Sequence, residues 1–96
     1  MDTFRPETCG GCLTHYGFTQ MWDTFREEMH DYIHSLVDQY PTASILVTGH
    51  SLGAALSTVA AYDTKIEFPN TQLFLYNMGS PRVGNTAFYT KFKELF

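Results

Sequence analysis

The chain has 96 residues, enough for one small domain, with a formal charge of −4, 44% hydrophobic and 16% aromatic residues. This composition is globular rather than disordered, and its acidic balance offers no basic surface for nucleic-acid phosphates. No apolar run reaches the roughly 18 to 20 residues of a membrane span, and the amino-terminal "MDTFRPETCGG" has no apolar signal-peptide core.

Residues 1 to 17 are turn-rich and give no regular periodicity. Their "CGGC" contains the only two cysteines, Cys9 and Cys12, a spacing open to a redox pair, half a zinc site or a small disulfide. Redox pairs sit at a helix N-terminus after a strand, whereas this one follows "RPET" in a loop. Zinc needs four ligands, and Cys9, Cys12 and His15 supply at most three. A local structural role or an adventitious pair is the preferred reading.

From Phe18 the apolar residues recur at three- and four-residue steps: Phe18, Met21, Trp22, Phe25, Met29, Ile33, Leu36, Val37 and Tyr40. This predicts a long amphipathic helix, with Thr19 as its N-cap and Pro41 as its stop. Glu27, His30 and His34 share one face of it, and Glu-x-x-His is an element of di-iron bundles. No other helix offers the matching ligands, so a solvated face is expected there and no metal. "SILVT" (residues 44 to 48) predicts a strand covered on both faces. "LGAALSTVAAYD" predicts a helix rich in small residues, "EFPNTQ" a loop and "LFLYNM" (residues 73 to 78) a second apolar strand. "GSPRVGN" is a turn-laden connection, and "TAFYTKFKELF" a last helix with Phe88, Phe92 and Leu95 on one side. Helices alternating with strands predict an α/β fold with parallel strands and crossover helices. Two strands make a small sheet for a core of this kind, so residues 1–96 are expected to form part of a larger α/β domain.

Gly49-His50-Ser51-Leu52-Gly53 places G-x-S-x-G at the predicted strand-to-helix junction. At average usage such a triplet arises by chance in about 3% of chains of this length; the flanking strand and small-residue helix make coincidence rarer still. The chemistry needs this arrangement: a serine oxygen becomes an acyl-transfer nucleophile when exposed, rigid and beside a base. A nucleophile elbow provides exposure and rigidity by holding the serine in strained backbone angles. Gly49 and Gly53 are expected to be glycine because a side chain at either would collide with the tightened backbone. Ala54, Ala55, Ser57, Ala60 and Ala61 permit close helix packing, and the helix N-terminus favours a developing oxyanion. Ser51 is thus the candidate nucleophile and the Leu52 N–H a candidate oxyanion donor. His50 points away from its neighbour on so sharp a turn and is read as structural.

Four segments together resemble the fungal-type, or class 3, triacylglycerol lipases: "THYGF", "YPTASILVTGHSLGAAL", "LFLYNM" and "GSPRVGNTAF". Ala54 stands where glycine is common in that family. The resemblance implies a partial α/β-hydrolase fold with the amino- and carboxyl-terminal parts of the domain missing. It also implies hydrolysis of carboxylic esters of lipids through Ser51, no cofactor, and transient contact with a lipid interface in a longer parent. Arg82 and its neighbours would form a scaffold loop, and His15, before the helix, a structural residue. Members are often secreted.

Triads in these hydrolases run nucleophile, acid, base along the chain. No histidine follows Ser51; His15, His30, His34 and His50 all precede it. Asp63 falls on the elbow helix, and Glu67 and Glu94 are no better placed. The triad aspartate and histidine are therefore expected outside this chain, and the 96 residues alone are expected to be a poor esterase. The alternative is a non-catalytic, lipase-like interaction protein that kept the fold and lost the chemistry.

Overall fold

The computed structural model describes all 96 residues. Two short strands, β1 (Asp2–Thr3) and β2 (Leu13–Thr14), pair antiparallel and close the turn-rich segment between them into a loop. Cys9 and Cys12 are joined as a disulfide within that loop, both buried in the core. Their sulfurs are therefore covalently committed to each other, a structural use of the pair.

Helix α1 (Tyr16–Gln39) begins three residues earlier than Thr19. His15 occupies the capping position without a side-chain bond to the helix, and Thr19 instead shares a hydrogen bond with the Thr14 hydroxyl at 2.7 Å. Strands β3 (Ile45–His50) and β4 (Leu73–Met78) run parallel in register, from Ile45 opposite Leu73 to His50 opposite Met78. Helix α2 (Leu52–Glu67) connects them, and α3 (Thr86–Leu95) follows the "GSPRVGN" connection. Asn85 caps α3 by accepting from the Phe88 N–H at 3.0 Å, and the same oxygen accepts from the Leu13 N–H at 3.1 Å. One side chain thus starts the last helix and fastens it to the amino-terminal loop.

The sheet departs from the expectation of two covered faces. Along β3 and β4, apart from the buried Leu73, the side chains alternate between half-buried and exposed, and Leu46, Phe74, Tyr76 and Met78 stand open to solvent. The reason is topological: α2 lies across one face of the strands, α1 packs on α2, and no element covers the other face. Alanines make the covered side possible, because Ala54 and Ala61 are fully buried and let α2 sit close to the strands.

The core forms on α2's far side from the sheet's open face. Phe4 reaches in from the loop and sets its ring edge-on against Tyr62 (5.0 Å) and Phe88 (5.5 Å). Beneath it Asp63, 7% exposed, collects four donors: Arg5 Nε at 3.1 Å, Arg5 Nη2 at 2.7 Å, Trp22 Nε1 at 2.8 Å and Arg26 Nη1 at 3.4 Å. Burial alone would lower the Arg5 pKa, but its bonds to Asp63 and Asp23 outweigh that and hold it above the ordinary arginine value. The carboxylate thereby ties the loop, α1 and α2 together. Replacing Asp63 by alanine leaves the half-buried Arg5 guanidinium with Asp23 alone and strips the buried Trp22 indole N–H of its acceptor. We expect Asp63→Ala to lower the unfolding free energy by about 3–5 kcal/mol, read from the midpoint of urea denaturation.

Candidate active site

Parallel register brings the carboxyl ends of β3 and β4 level, and Ser51 follows directly: its N–H donates to the Met78 carbonyl at 2.9 Å. The chain then turns into α2 with Ser51 at φ 54° and ψ −118°. A β-carbon is crowded by its own backbone at such angles, which cost about 1–3 kcal/mol and persist only where neighbours impose them. Here the neighbours are the strand on one side and the start of α2 on the other. The Ser51 side chain is exposed and makes no hydrogen bond with another residue, so its hydroxyl faces outward from the crest of the bend.

Close approach of helix to strand is dictated at Gly49. A Cβ there would lie 2.2 Å from the Gly53 carbonyl oxygen and 2.6 Å from Ser57 Oγ. The expectation of equal need at Gly53 is not met: a Cβ there would meet nothing within 4 Å. What matters at residue 53 is its carbonyl, which occupies the space that the hydrogen of Gly49 leaves.

Two polar side chains fasten the first turns of α2 to the sheet. Ser57 Oγ donates to the Thr48 carbonyl at 2.8 Å, and Asn77 Nδ2 donates to the Ala54 carbonyl at 2.9 Å and to Thr58 Oγ1 at 2.8 Å. The role of Asn77 was not foreseen; its one signal was an amide inside the otherwise apolar "LFLYNM". Helix geometry leaves the N–H groups of Leu52 and Gly53 without intrahelical acceptors, while Ala54 and Ala55 both donate to the Ser51 carbonyl. An exposed hydroxyl beside two unpaired N–H groups at a helix N-terminus is suited to covalent attack on a carbonyl and to holding the oxyanion that results.

The remaining candidates lie elsewhere. His50 ends β3 with its side chain exposed, and His15 stacks on Phe18 with ring centroids 4.3 Å apart. Arg82 Nε donates to the Gly84 carbonyl at 2.9 Å, within its own loop. Glu27, His30 and His34 do not converge as ligands, and their face is not simply solvated. His30 is buried and shares a hydrogen bond with Thr64 Oγ1 at 3.1 Å, while His34 Nε2 meets Glu67 Oε2 at 3.0 Å. Both pairs belong to the α1–α2 seam, where a polar cleft of about 310 Å³ includes Arg5, Arg26 and Asp63 in its walls.

The two glycines of the bend separate cleanly by mutation. Gly49→Ala forces α2 off the strand and is expected to cost about 3 kcal/mol, whereas Gly53→Ala leaves stability unchanged or raises it by up to about 1 kcal/mol. Ser51→Gly relieves the positive φ and is expected to stabilise by about 1 kcal/mol. Thermal and urea unfolding of the three variants beside the parent sequence give all three values.

Comparison with known proteins places the chain in a family. The class 3 lipase family matches residues 1–96. A secreted mono- and diacylglycerol lipase A from Penicillium cyclopium is 41% identical over 84 residues, covering 86% of this chain and 27% of its own length. A secreted mono- and diacylglycerol lipase 1 from Fusarium solani is 42% identical over 89 residues, covering 88% of this chain and 26% of its own. The solved structure of Rhizomucor miehei triacylglyceride lipase superposes with a TM-score of 0.91 at 31% identity, over 98% of this chain and 36% of that one. The chain therefore spans roughly a quarter of these curated relatives and a third of that structure. With its whole length matched by one family model and its α/β architecture shared with solved fungal lipases, the chain belongs to the class 3 lipase family.

Proposed function

We propose that this chain carries the nucleophile-bearing part of a lipase that hydrolyses carboxylic esters of acylglycerols. The observation that supports this best is the bend itself: Ser51 at φ 54°, exposed, between the end of a parallel strand and a helix N-terminus. Ser51 attacks the ester carbonyl, the oxyanion is held by the Leu52 N–H, and Gly49 sets the close packing that keeps both in place. Breakdown of the tetrahedral adduct expels the alcohol and leaves an acyl-serine ester, which water then hydrolyses to the free fatty acid and the original serine. Mono- and diacylglycerols are the substrate class favoured by the names of the relatives at 41% and 42% identity.

Both proton transfers need a base that cycles between serine and leaving group. His30 and His34 are engaged on the α1–α2 seam, and Asp63 is saturated by four donors. His15 stacks on Phe18, and no side chain bonds the Ser51 hydroxyl, so the acid and base of the triad are assigned to segments outside these 96 residues.

Two measurements test the proposal. The 96-residue chain is expected to turn over p-nitrophenyl butyrate no faster than background; a Ser51-dependent rate would overturn the assignment of the base to outside segments. Expressed with the sequence that flanks it at its locus, the protein is expected to hydrolyse diolein, and Ser51→Ala to lower kcat by about 10⁴-fold or more. A folded longer protein that is inert on diolein and on short-chain esters would instead make this a non-catalytic relative.

A further inference from the structure

We propose that His30 makes the α1–α2 seam an acid-labile joint, in which protonation of one buried imidazole loosens α1 from the helix that begins beside Ser51. The inference goes beyond the esterase reading and does not depend on it.

The geometry carries it. His30 is 8% exposed, and its ring is boxed by Trp22 (5.5 Å) and Phe68 (5.7 Å), both edge-on. Its only hydrogen-bond partner is the hydroxyl of Thr64, itself 2% exposed. A neutral imidazole is satisfied there. A cationic one would sit between two aromatic rings, with a hydroxyl as its only hydrogen-bond partner.

Charged groups around the ring do not rescue the cation. From α1 come Arg26, His34, Glu27 and Asp31; from α2, Asp63 and Glu67; from the amino-terminal loop, Arg5 and Glu7. Asp63 is already shared by Arg5, Arg26 and Trp22, and Glu67 already faces His34. Glu7, Glu27 and Asp31 stand exposed, where water screens them. Burial accordingly outweighs the attraction of Glu67 and Asp63 and holds the His30 pKa below the ordinary 6.5.

The direction of the effect follows. Below pH 6.5 the unfolded or detached segment takes up a proton before the packed one does, so the packed state loses ground as pH falls from 6.5 toward the depressed value. One proton limits the slope to about tenfold in the opening equilibrium per pH unit. His34, one turn along the same helix face, is an internal control. It is exposed, and its Nε2 meets Glu67 Oε2 at 3.0 Å, so no charge is stranded there.

Trp22 is the only tryptophan, and its ring lies 5.5 Å from His30, so its emission reports on the seam directly. The test follows Trp22 fluorescence and the amide-exchange protection of α1 in the full chain between pH 7.5 and 5.0, beside the NMR titration of the His30 ring protons. Opening of α1 is expected to rise below pH 6.5 by up to about tenfold per unit. His30→Gln, which keeps an amide near Thr64, should flatten that rise, and His34→Gln should leave it intact. A His30 midpoint at or above 6.5, or a rise that survives in His30→Gln, overturns the proposal. Should His30→Gln not fold, the unmodified chain decides: coincidence of the His30 midpoint with α1 opening supports the joint, and divergence rejects it.

Discussion

The distance between α2 and β3 is the constraint from which the rest of this site follows. A carbonyl oxygen stands where the side chain of residue 49 would be, and only glycine concedes that space. With strand and helix so close, the single residue joining them cannot adopt ordinary angles, and Ser51 is forced to positive φ with its hydroxyl outward. The strain is local, but the forces that sustain it are distributed. Ser57 and Asn77 bond α2 to the strands, and a row of alanines lets the approach happen without collision. The exposed hydroxyl at the crest of the bend is in this sense a by-product of tight packing.

What keeps α2 in position on its other side is a single buried carboxylate. Asp63 draws one arginine from the amino-terminal loop and both an arginine and an indole from α1, so that the loop, α1 and α2 share one acceptor. Such a centre contributes more to uniqueness than to net stability, because ion desolvation offsets much of the attraction. Its value lies in specificity: the register of α1 on α2 is the one that brings both Trp22 and Arg26 to the carboxylate. The disulfide and the Phe4 ring then close the loop that delivers Arg5.

Much of this was legible in the residues. β4 coincides with the run from Leu73 to Met78, and the alternation of helix and strand along the chain is as the periodicity implies. The elbow was readable because glycine, serine and alanine leave a distinctive trace where packing is close. Other features were hidden for physical reasons. The anchoring role of Asp63 was hidden because its partners lie 37 to 58 positions away in sequence. The histidines of α1 looked solvated because periodicity marks a face as polar without saying that Thr64 and Phe68 come to meet it. Thr19 resembled a cap because local chemistry favours it, yet the pairing of β2 with β1 and its bridge to Gly84 start the helix earlier.

The uncovered side of the sheet has a consequence for handling the molecule. Leu46, Phe74, Tyr76 and Met78 form a contiguous oily facet, and the exposed Phe25, Met29 and Tyr32 add a greasy ridge along α1. Surfaces of this kind drive colloidal self-association in plain buffer. Concentrated preparations of the isolated chain will accordingly bind hydrophobic dyes, adsorb to plastic and gain monodispersity from mild detergent.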